Sequence, residues 1–430
     1  YYFNDHGEQI NRFAKSLVAA WAEANNLGEA GYQTETPCDG YKGAYINEIA
    51  ARVQAEAESD GVDLTALAHQ DQGLNDDGEP LGEADTEVRE EFRKRAVPMM
   101  FDEIQRSMKE FRVRFDVWFH ENNLYKDGEV DRAIEELRSR GDIFEKDGAT
   151  WFESTKHGDD KDRVLIKSDG EYTYFASDVA YHWDKFQRVD HVIDIWGADH
   201  HGYIERVRCV CDALGYPGKF EVLLGQLVNL LRNGKPVRMS KRKGTMVTLQ
   251  ELVDEVGSDA ARYTLISKSS NQMVDFDIEA VKKRDNSNPV YYVQYAHARV
   301  CSILRRAADV TPEQADEMGM KAVAAKAIGE NVDYSLLTDP TELALSRKLN
   351  ELTDLIASCA RDRAPFRLTH FAEELAGDFH SFYAACQVLP SEGRPVDPEL
   401  SRARLAACDA VRVTLALVLT LVGVSAPEQM

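Results

Sequence analysis

The feature that most constrains the fold is the alternation of short apolar runs with amphipathic segments over residues 1–230. This pattern is typical of βαβ units, in which helices cover both faces of a mostly parallel sheet. The expected strands are Tyr1 to Asn4, Arg114 to Phe119, Arg163 to Ile166, Tyr172 to Phe175, His191 to Trp196 and Phe220 to Leu224. The expected helices are His6 to Asn25, Ala44 to Asp60, Ala84 to Phe111, Val130 to Arg140 and Tyr203 to Leu214.

Beyond residue 225 the pattern changes. Asn233 and Gly234 lie between two apolar-rich runs and predict a hairpin with a tight turn. Thr248 and Glu251 predict a capping box that starts a helix ending near Gly257. From residue 288 alanine and leucine recur at helical spacing, and prolines divide the stretch into about five helices. We therefore predict an α/β domain over residues 1–225, a connecting segment over 226–287 and an all-α bundle over 288–430.

The composition narrows the class of protein. With 43% hydrophobic and 29% charged residues, the chain resembles ordinary globular proteins. It has no run of the roughly 18 uncharged apolar residues that a membrane helix needs, and its start lacks the pattern of a signal peptide. The seven cysteines form no Cys-x-x-Cys pair, so we expect reduced, buried thiols. These features favour a monomeric cytoplasmic protein without a membrane partner, a bound metal or a prosthetic group.

One short segment opposes the overall acidity of the chain. The formal net charge is -23, but residues 232–243 contain six lysines or arginines and no acid. Ser240, Lys241 and Arg242 stand beside Gly244, where the backbone can approach a polyphosphate and lysine can neutralise it. A solvated basic turn and a nucleic-acid patch are the alternatives, and the spacing alone leaves all three open.

A second cluster of polar residues follows the strand predicted at His191 to Trp196. Gly197, Asp199, His200 and His201 form the turn into the next helix. Ligands of open α/β sheets bind at such strand ends, near the amides of a helix N-terminus. A metal site on the two histidines is the alternative, but adjacent side chains point apart on a regular element.

Two acids and an aromatic ring stand at neighbouring strand ends. Glu121 lies just past the strand predicted at Arg114 to Phe119, and Tyr174 and Asp178 flank the turn into the next helix. Two carboxylates and a ring suit a cationic ligand. The alternatives are a helix cap for Asp178 and a solvated loop acid for Glu121, and spacing does not decide between these roles.

Ten motifs in order give the chain a family resemblance. They are "YYFNDHGEQI", "GYKGAYI", "FDVWFHEN", "GDDKDRVLIKSDGEYTYFASDVAYH", "WGADHHGY", "MSKRKG", "VGSDAARYTL", "FDIEA", "NPVYYVQYAHARV" and "LVGVSAPEQM". Over nearly its whole length the chain resembles the arginyl-tRNA synthetases, which are class I aminoacyl-tRNA synthetases. The resemblance implies a Rossmann-like catalytic domain, an anticodon-binding bundle and the attachment of L-arginine to tRNA(Arg) through an arginyl-adenylate made from ATP with Mg²⁺.

The resemblance also implies roles for particular residues. Lys241 would neutralise the ATP phosphates, while Met239, Ser240 and Arg242 shape the loop around the nucleotide. The residues that would hold the arginine side chain are Glu121, Tyr174 and Asp178, with Asn4, Asp5 and Gln9 as the nearby wall. The turn residues Gly197, Asp199, His200 and His201 would lie beside the amino acid and the ribose.

The predicted bundle carries a stripe that suits tRNA. Its residues are Tyr292, Tyr295, His297, Arg299, Arg305 and Arg306. Rings can stack on bases and cations can contact phosphates. Between Lys282 and Arg306 there are six bases and one acid, Asp285, so the stripe is locally basic. The alternative for the tyrosines is ordinary helix core, and we expect that role for some of them.

The sequence departs from the family at one point. The His-x-Gly-His signature that class I synthetases use for ATP does not occur in these 430 residues, and the chain opens where the family's second strand would begin. We expect these residues to be part of a longer enzyme. The alternative is a shortened, catalytically impaired tRNA-binding relative, and a chain without the signature should form very little adenylate. The cysteine enzyme of the same class is a further alternative, disfavoured because the cysteine spacing does not suit zinc.

Overall fold

The computed structural model of the chain describes residues 1–5, 7–30, 34–70, 87–237 and 247–430. Within these ranges the chain forms two compact units, Tyr1–Gly225 and Gln226–Val237 with Thr248–Met430. None of the helices in these ranges combines the length and the apolar character that crossing a bilayer requires. Each unit is described separately below.

The first unit contains both helices and short strands. Its helices are α1 Glu8–Ala24, α2 Ala44–Ser59, α3 Leu64–Gln70, α4 Glu87–Glu110, α5 Glu121–Lys126, α6 Glu129–Ser139, α7 Tyr174–Arg188 and α8 Ile204–Ala213. Its strands are β1 Tyr2–Phe3, β2 Phe119–His120, β3 Ile143–Lys146, β4 Ala149–Phe152, β5 Arg163–Ile166, β6 Val192–Gly197 and β7 Phe220–Gly225.

Parallel pairing in the first unit confirms the expected α/β class. β1 pairs with β2 and β6 pairs with β7, both in parallel, whereas β3, β4 and β5 form an antiparallel sheet. One apolar core joins α1, α2 and α4 around buried Leu17, Val53 and Phe92. A second core joins α6, α7 and α8, and Val179 of α7 lies in it. This second core fixes the position of α7, whose first turns carry predicted site residues.

Two strand predictions in the first unit need correction. Residues Tyr172 to Phe175 are not a strand, because only a single bridge links Tyr172 to Ile166 and α7 begins at Tyr174. Phe175, Ala176, Val179 and Ala180 are buried on one helical face, so packing outweighs the short alternation. The strand expected at Arg114 to Phe119 reduces to β2, whose partner β1 has only two residues.

The hairpin of β3 and β4 was absent from the predictions although the sequence carries its signal. Asp147 and Gly148 connect the two strands with φ of 52° and 77°. Positive φ at both central residues is the conformation that a two-residue hairpin turn requires, and Asp-Gly is one of the sequences that adopts it. The strands themselves are only four residues long, which made their alternation hard to detect.

The second unit opens with the predicted hairpin. β8 Val228–Arg232 pairs antiparallel with β9 Lys235–Pro236 across Asn233 and Gly234, and β8 also pairs in parallel with β10 Val274–Asp277. The capping box of Thr248 and Glu251 is confirmed at the start of α9 Leu249–Val256. The helices that follow α9 are α10 Ser258–Ile266, α11 Ile278–Val281, α12 Pro289–Ala308, α13 Pro312–Met318, α14 Met320–Ile328, α15 Pro340–Asn350, α16 Leu352–Asp362, α17 Phe366–Ala385 and α18 Pro398–Leu421.

The all-α bundle is confirmed, but its helix count needs correction. Seven helices, α12 to α18, lie in the fully described range 288–430, instead of about five. The breaks between α13 and α14 and between α15 and α16 contain no proline. Gly319 makes the first break by adopting a φ of 77°, a conformation that proline counting cannot reveal.

Candidate active site

The first unit contains a cavity of about 920 Å³ beside its two parallel strand pairs. Tyr2 of β1 and Asp194 and Trp196 of β6 contribute to its wall. The rest of the wall comes mainly from α7 and from the 3₁₀ turn Ala198–Tyr203 that follows β6. Ligands of open α/β sheets bind at the carboxyl ends of parallel strands, so this cavity is the candidate site.

Two predicted residues reach the cavity from α7. Tyr174 begins the helix and Asp178 follows four residues later, so both lie on one helical face. The Tyr174 side chain is 78% exposed, whereas Asp178 is partly buried. Burial raises the pKa of Asp178, and the positive charges of His182, Lys185 and Arg206 oppose that rise. The arrangement places a carboxylate of limited hydration next to an accessible aromatic ring.

Glu121 belongs to the same group of acids. It is the first residue of α5 and only 5% exposed. The Tyr2 phenol donates a hydrogen bond to the Glu121 carboxylate, and Tyr2 also lines the cavity. Burial raises the pKa of Glu121, and the negative charge of Asp178 raises it further. Because each carboxylate disfavours ionisation of the other, the pair is suited to a cation placed between them.

Asp5 has a supporting position near Glu121. Its carboxylate accepts hydrogen bonds from His120 Nδ1 at 2.7 Å and from the Asn122 backbone N–H at 2.9 Å. Both donors flank Glu121, so Asp5 holds the start of α5. Asn4 and Gln9 are exposed.

Of the four residues predicted in the turn after β6, two line the cavity. Gly197 and His200 line the cavity. Asp199 and His201 are exposed and are not among the described lining residues. Within the described ranges no three histidine, cysteine or acidic side chains are grouped to hold a metal.

The predicted phosphate-binding loop lies outside the described residues. This applies to Met239, Ser240, Lys241 and Arg242. Arg232 and Lys235 of the same basic run are described, and Arg232 has a partner other than a phosphate. Its guanidinium binds Glu255 through two hydrogen bonds of 2.8 Å and also contacts Glu279. Arg232 therefore ties the hairpin to α9 and α11, which a count of charges could not show.

In the second unit, helix α12 presents rings and a cation together. The Arg299 guanidinium lies 5.8 Å from the ring of Tyr295 and 4.7 Å from the ring of Tyr383. Its Nη1 donates to the Tyr295 hydroxyl at 3.0 Å. Tyr292 is half-buried against His380, with ring centroids 5.2 Å apart. Arg306 is exposed. This surface can stack on bases and contact phosphates.

Two further residues of the predicted stripe are buried inside the second unit. His297 is 2% exposed, and its Nδ1 donates to the Pro427 carbonyl at 2.9 Å. Arg305 Nη1 donates to the Glu428 carbonyl at 3.0 Å. In this structure both side chains hold the segment that follows α18, because helical periodicity placed them on the face that this segment covers. They support α12 from within.

Three residues of the site were missing from the sequence predictions. His182, Lys185 and Asp194 line the cavity beside Asp178, and their side chains are 3 to 14% exposed. A signal for Asp194 was present, because it is an acid within the apolar run of β6. His182 and Lys185 follow Asp178 at helical spacing, but their partner on β6 is not evident from α7 alone.

Comparison with known proteins assigns these features to a family. Residues 80–302 match the family described as tRNA synthetases class I (R), catalytic domain, and residues 293–430 match the DALR anticodon binding domain. The chain is 60% identical to the arginine–tRNA ligase of Bifidobacterium longum, with 100% of this chain and 71% of the relative aligned. It is 49% identical to the arginine–tRNA ligase of Bifidobacterium animalis subsp. lactis, over 100% of this chain and 72% of the relative.

Solved structures agree with these matches. An arginyl-tRNA synthetase structure from Campylobacter jejuni superposes with a TM-score of 0.77 at 28% identity, over 100% of this chain and 84% of that one. The arginyl-tRNA synthetase of Thermus thermophilus gives 0.63 at 18% identity, over 99% and 80%, and supports the fold alone.

Together the two domain matches define a class I aminoacyl-tRNA synthetase, with a catalytic domain followed by a helical anticodon-binding domain. Within that class, the chain belongs to the arginine–tRNA ligase family. The resemblance inferred from the sequence motifs is confirmed. The alternative of a catalytically impaired tRNA-binding protein gains no support from these matches.

Proposed function

We propose that the acid-lined cavity holds the side chain of L-arginine while the enzyme joins the amino acid to tRNA(Arg). The observation that carries this assignment is the presence of Asp178 in the cavity wall, with Glu121 hydrogen-bonded to Tyr2 of the same wall. A guanidinium offers five N–H donors in a plane and pairs with carboxylates in bidentate fashion. Tyr174 supplies an exposed ring on which that plane can stack.

The proposed reaction has two steps. In the first, a carboxylate oxygen of arginine attacks the α-phosphorus of ATP and pyrophosphate leaves, which gives arginyl-adenylate. In the second, a hydroxyl of the terminal tRNA ribose attacks the carbonyl carbon and AMP leaves. Lys241 would neutralise phosphate charge as it develops, with Met239, Ser240 and Arg242 shaping the loop around the nucleotide.

Magnesium enters this proposal with ATP. Mg²⁺ is usually bound by substrate phosphates and one or two carboxylates, without a dedicated protein cage. Gly197 and His200 line the cavity where the nucleotide would meet the amino acid, and Asp199 and His201 adjoin them in the chain.

For tRNA we propose the surface formed by Tyr292, Tyr295, Arg299 and Arg306. The Tyr295 and Tyr383 rings hold the Arg299 guanidinium in place, and no acid of the described residues forms an ion pair with it, so its charge is available to phosphate. His297 and Arg305 would act indirectly by fixing α12. We further propose a cytoplasmic monomer, since copies that each carry a charge of -23 repel one another.

Asp178→Asn tests the assignment of the cavity. The substitution removes one charge and should weaken arginine binding by about 1–3 kcal/mol, which is roughly ten- to hundredfold. Calorimetric titration of the full-length enzyme with arginine measures the effect. Asp190→Asn is the matched control, because Asp190 is exposed and is not among the described lining residues, and it should leave arginine affinity nearly unchanged. Unchanged affinity in Asp178→Asn would remove Asp178 from the arginine site.

A further inference from the structure

A buried group of three charged side chains lies directly beside Asp178. His182 of α7 is 3% exposed, and its Nε2 lies 2.9 Å from Asp194 Oδ2 on β6. The Lys185 Nζ lies 2.5 Å from the other oxygen, Asp194 Oδ1. All three side chains line the same cavity as Asp178. We refer to His182, Lys185 and Asp194 as the charged triad.

The His182 ring lies between two hydrogen-bond acceptors. Its Nδ1 lies 2.7 Å from the backbone carbonyl oxygen of Asp178, which can only accept a hydrogen bond. Its Nε2 faces the Asp194 carboxylate, which accepts as well when it is ionised. The ring is therefore held between the Asp178 backbone and the Asp194 carboxylate, and a protonated ring can donate to both.

Asp194 holds the triad together. Burial opposes ionisation of Asp194, but hydrogen bonds and charges from His182 and Lys185 outweigh it and lower its pKa to about 2. Burial lowers the pKa of Lys185, and Asp194 opposes that change. Lys185 also lies over the Tyr181 ring at 4.1 Å. Two groups that can carry a positive charge, His182 and Lys185, thus stand against one carboxylate, and their charges lower the pKa of Asp178.

The other groups around Asp178 favour its ionised form less than the triad does. Glu121 and the Tyr2 and Tyr125 phenols, on α5 and β1, face it without positive charge. Arg206 of α8 supplies a further positive charge, and its guanidinium lies over the Tyr203 ring at 4.5 Å. His182 and Lys185 of the triad are thus the main groups that oppose the rise of the Asp178 pKa on burial. His182 also hydrogen-bonds the backbone carbonyl of Asp178.

We propose that the charged triad is a positioning element that keeps Asp178 ionised and fixes its helical turn, and thereby sets the selectivity of the site for a cationic side chain. The inference rests on the proposed role of Asp178 in holding the guanidinium. An ionised carboxylate favours arginine over L-citrulline, its neutral isostere, by a charge interaction that a protonated acid cannot offer. Loss of the triad's positive charge should therefore reduce the preference for arginine over citrulline, first at mildly acidic pH.

The test compares arginine and citrulline binding between pH 5 and pH 8 in the full-length enzyme. Lys185→Met and His182→Gln each remove one group of the triad that can carry a positive charge. We expect both to move the midpoint at which arginine affinity is lost upward by roughly one pH unit. At the original midpoint arginine should bind roughly fivefold more weakly to either variant than to the unmodified enzyme, and at pH 8 nearly as well. Lys185→Arg keeps the charge and should restore the original midpoint.

Two results would overturn the inference. One is an equal loss of arginine affinity at every pH with an unmoved midpoint, which is what a purely structural role predicts. The other is unchanged binding and unchanged citrulline discrimination in Lys185→Met. Thermal melts identify a misfolded His182→Gln protein, in which case Lys185→Met and Lys185→Arg decide alone. Asp178→Asn separates this inference from the proposed function, because only unaltered arginine binding in that variant contradicts the arginine site itself.

Discussion

The cavity of the first unit and the α12 surface of the second unit use charge in opposite ways. Asp178 in the cavity wall and Glu121, which is hydrogen-bonded to Tyr2 of that wall, are acids withdrawn from water, and burial raises the pKa of each. On α12, Arg299 lies over two aromatic rings and Arg306 is exposed. A small cation can be enclosed, so buried acids can select it by charge and shape. A polyanion the size of tRNA cannot be enclosed, so a protein contacts its phosphates and bases with exposed cations and rings.

The strongest test of this contrast is Lys241→Ala, because Lys241 is a cation assigned to the first unit's reaction and not to side-chain recognition. We expect roughly a hundredfold slower formation of arginyl-adenylate, with arginine affinity nearly intact, since the charge acts on the transition state. Pyrophosphate exchange measures the rate and calorimetry the affinity.

Lys235→Ala is the matched control for Lys241→Ala. Lys235 belongs to the same basic run, but it is an exposed residue of β9. It should leave the rate of adenylate formation within a factor of about two. A loss of arginine affinity in Lys241→Ala as large as the loss of rate would show that the cation and the acids act on the same part of the substrate.

The contrast was only partly visible in the sequence. Tyr174 and Asp178 are only four residues apart, so the sequence placed both at one turn, although Tyr174 was expected on a strand and instead begins the helix. The hairpin at Asn233 and the capping box at Thr248 are also local, and both were predicted correctly. What helix or hairpin geometry determines over a few residues can be read from a single sequence.

Contacts between distant parts of the chain could not be read in this way. The hydrogen bond of Tyr2 to Glu121 depends on the pairing of β1 with β2, and that of His182 to Asp194 on the packing of α7 against β6. The burial of His297 and Arg305 depends on a segment more than 120 residues away, which binds them through the Pro427 and Glu428 carbonyls. Helical periodicity predicts which face of a helix is covered, but it does not identify the segment that covers it.

Arg306→Gln tests the other side of the contrast. An exposed cation on a tRNA-binding surface should contribute one phosphate contact, so we expect a roughly fivefold loss of tRNA affinity. The slope of log affinity against log salt should become shallower by about 1, and arginine affinity should not change. Filter binding over a salt series measures both quantities.

Arg347→Gln is the control for Arg306→Gln, because Arg347 is an exposed arginine on α15 of the same unit. It removes the same charge without touching α12. If Arg347→Gln weakened tRNA binding as much as Arg306→Gln, the effect would come from net charge, and α12 would not be a specific surface.

The smallest expected effect concerns stability and follows from the burial of Glu121. Because burial holds the pKa of Glu121 above its unfolded value, the folded state retains the proton longer than the unfolded state as pH rises. The resulting penalty on folding is absent below the unfolded pKa and complete above the folded one. Glu121→Gln removes this penalty and leaves an oxygen that can accept from Tyr2. We expect the ligand-free Tm to rise by about 1–2 °C at pH 7 and by less at pH 4.

The same variant, Glu121→Gln, should bind arginine roughly tenfold more weakly, because one of the two acidic partners of the guanidinium is lost. Thermal melts at both pH values and an arginine titration at pH 7 measure the two effects in one protein. A lower Tm at pH 7 would mean that the ionised carboxylate stabilises the fold, as an ion pair does. The acids of the cavity would then be structural groups, and the contrast with the exposed cations of α12 would no longer reflect the ligands that each region binds.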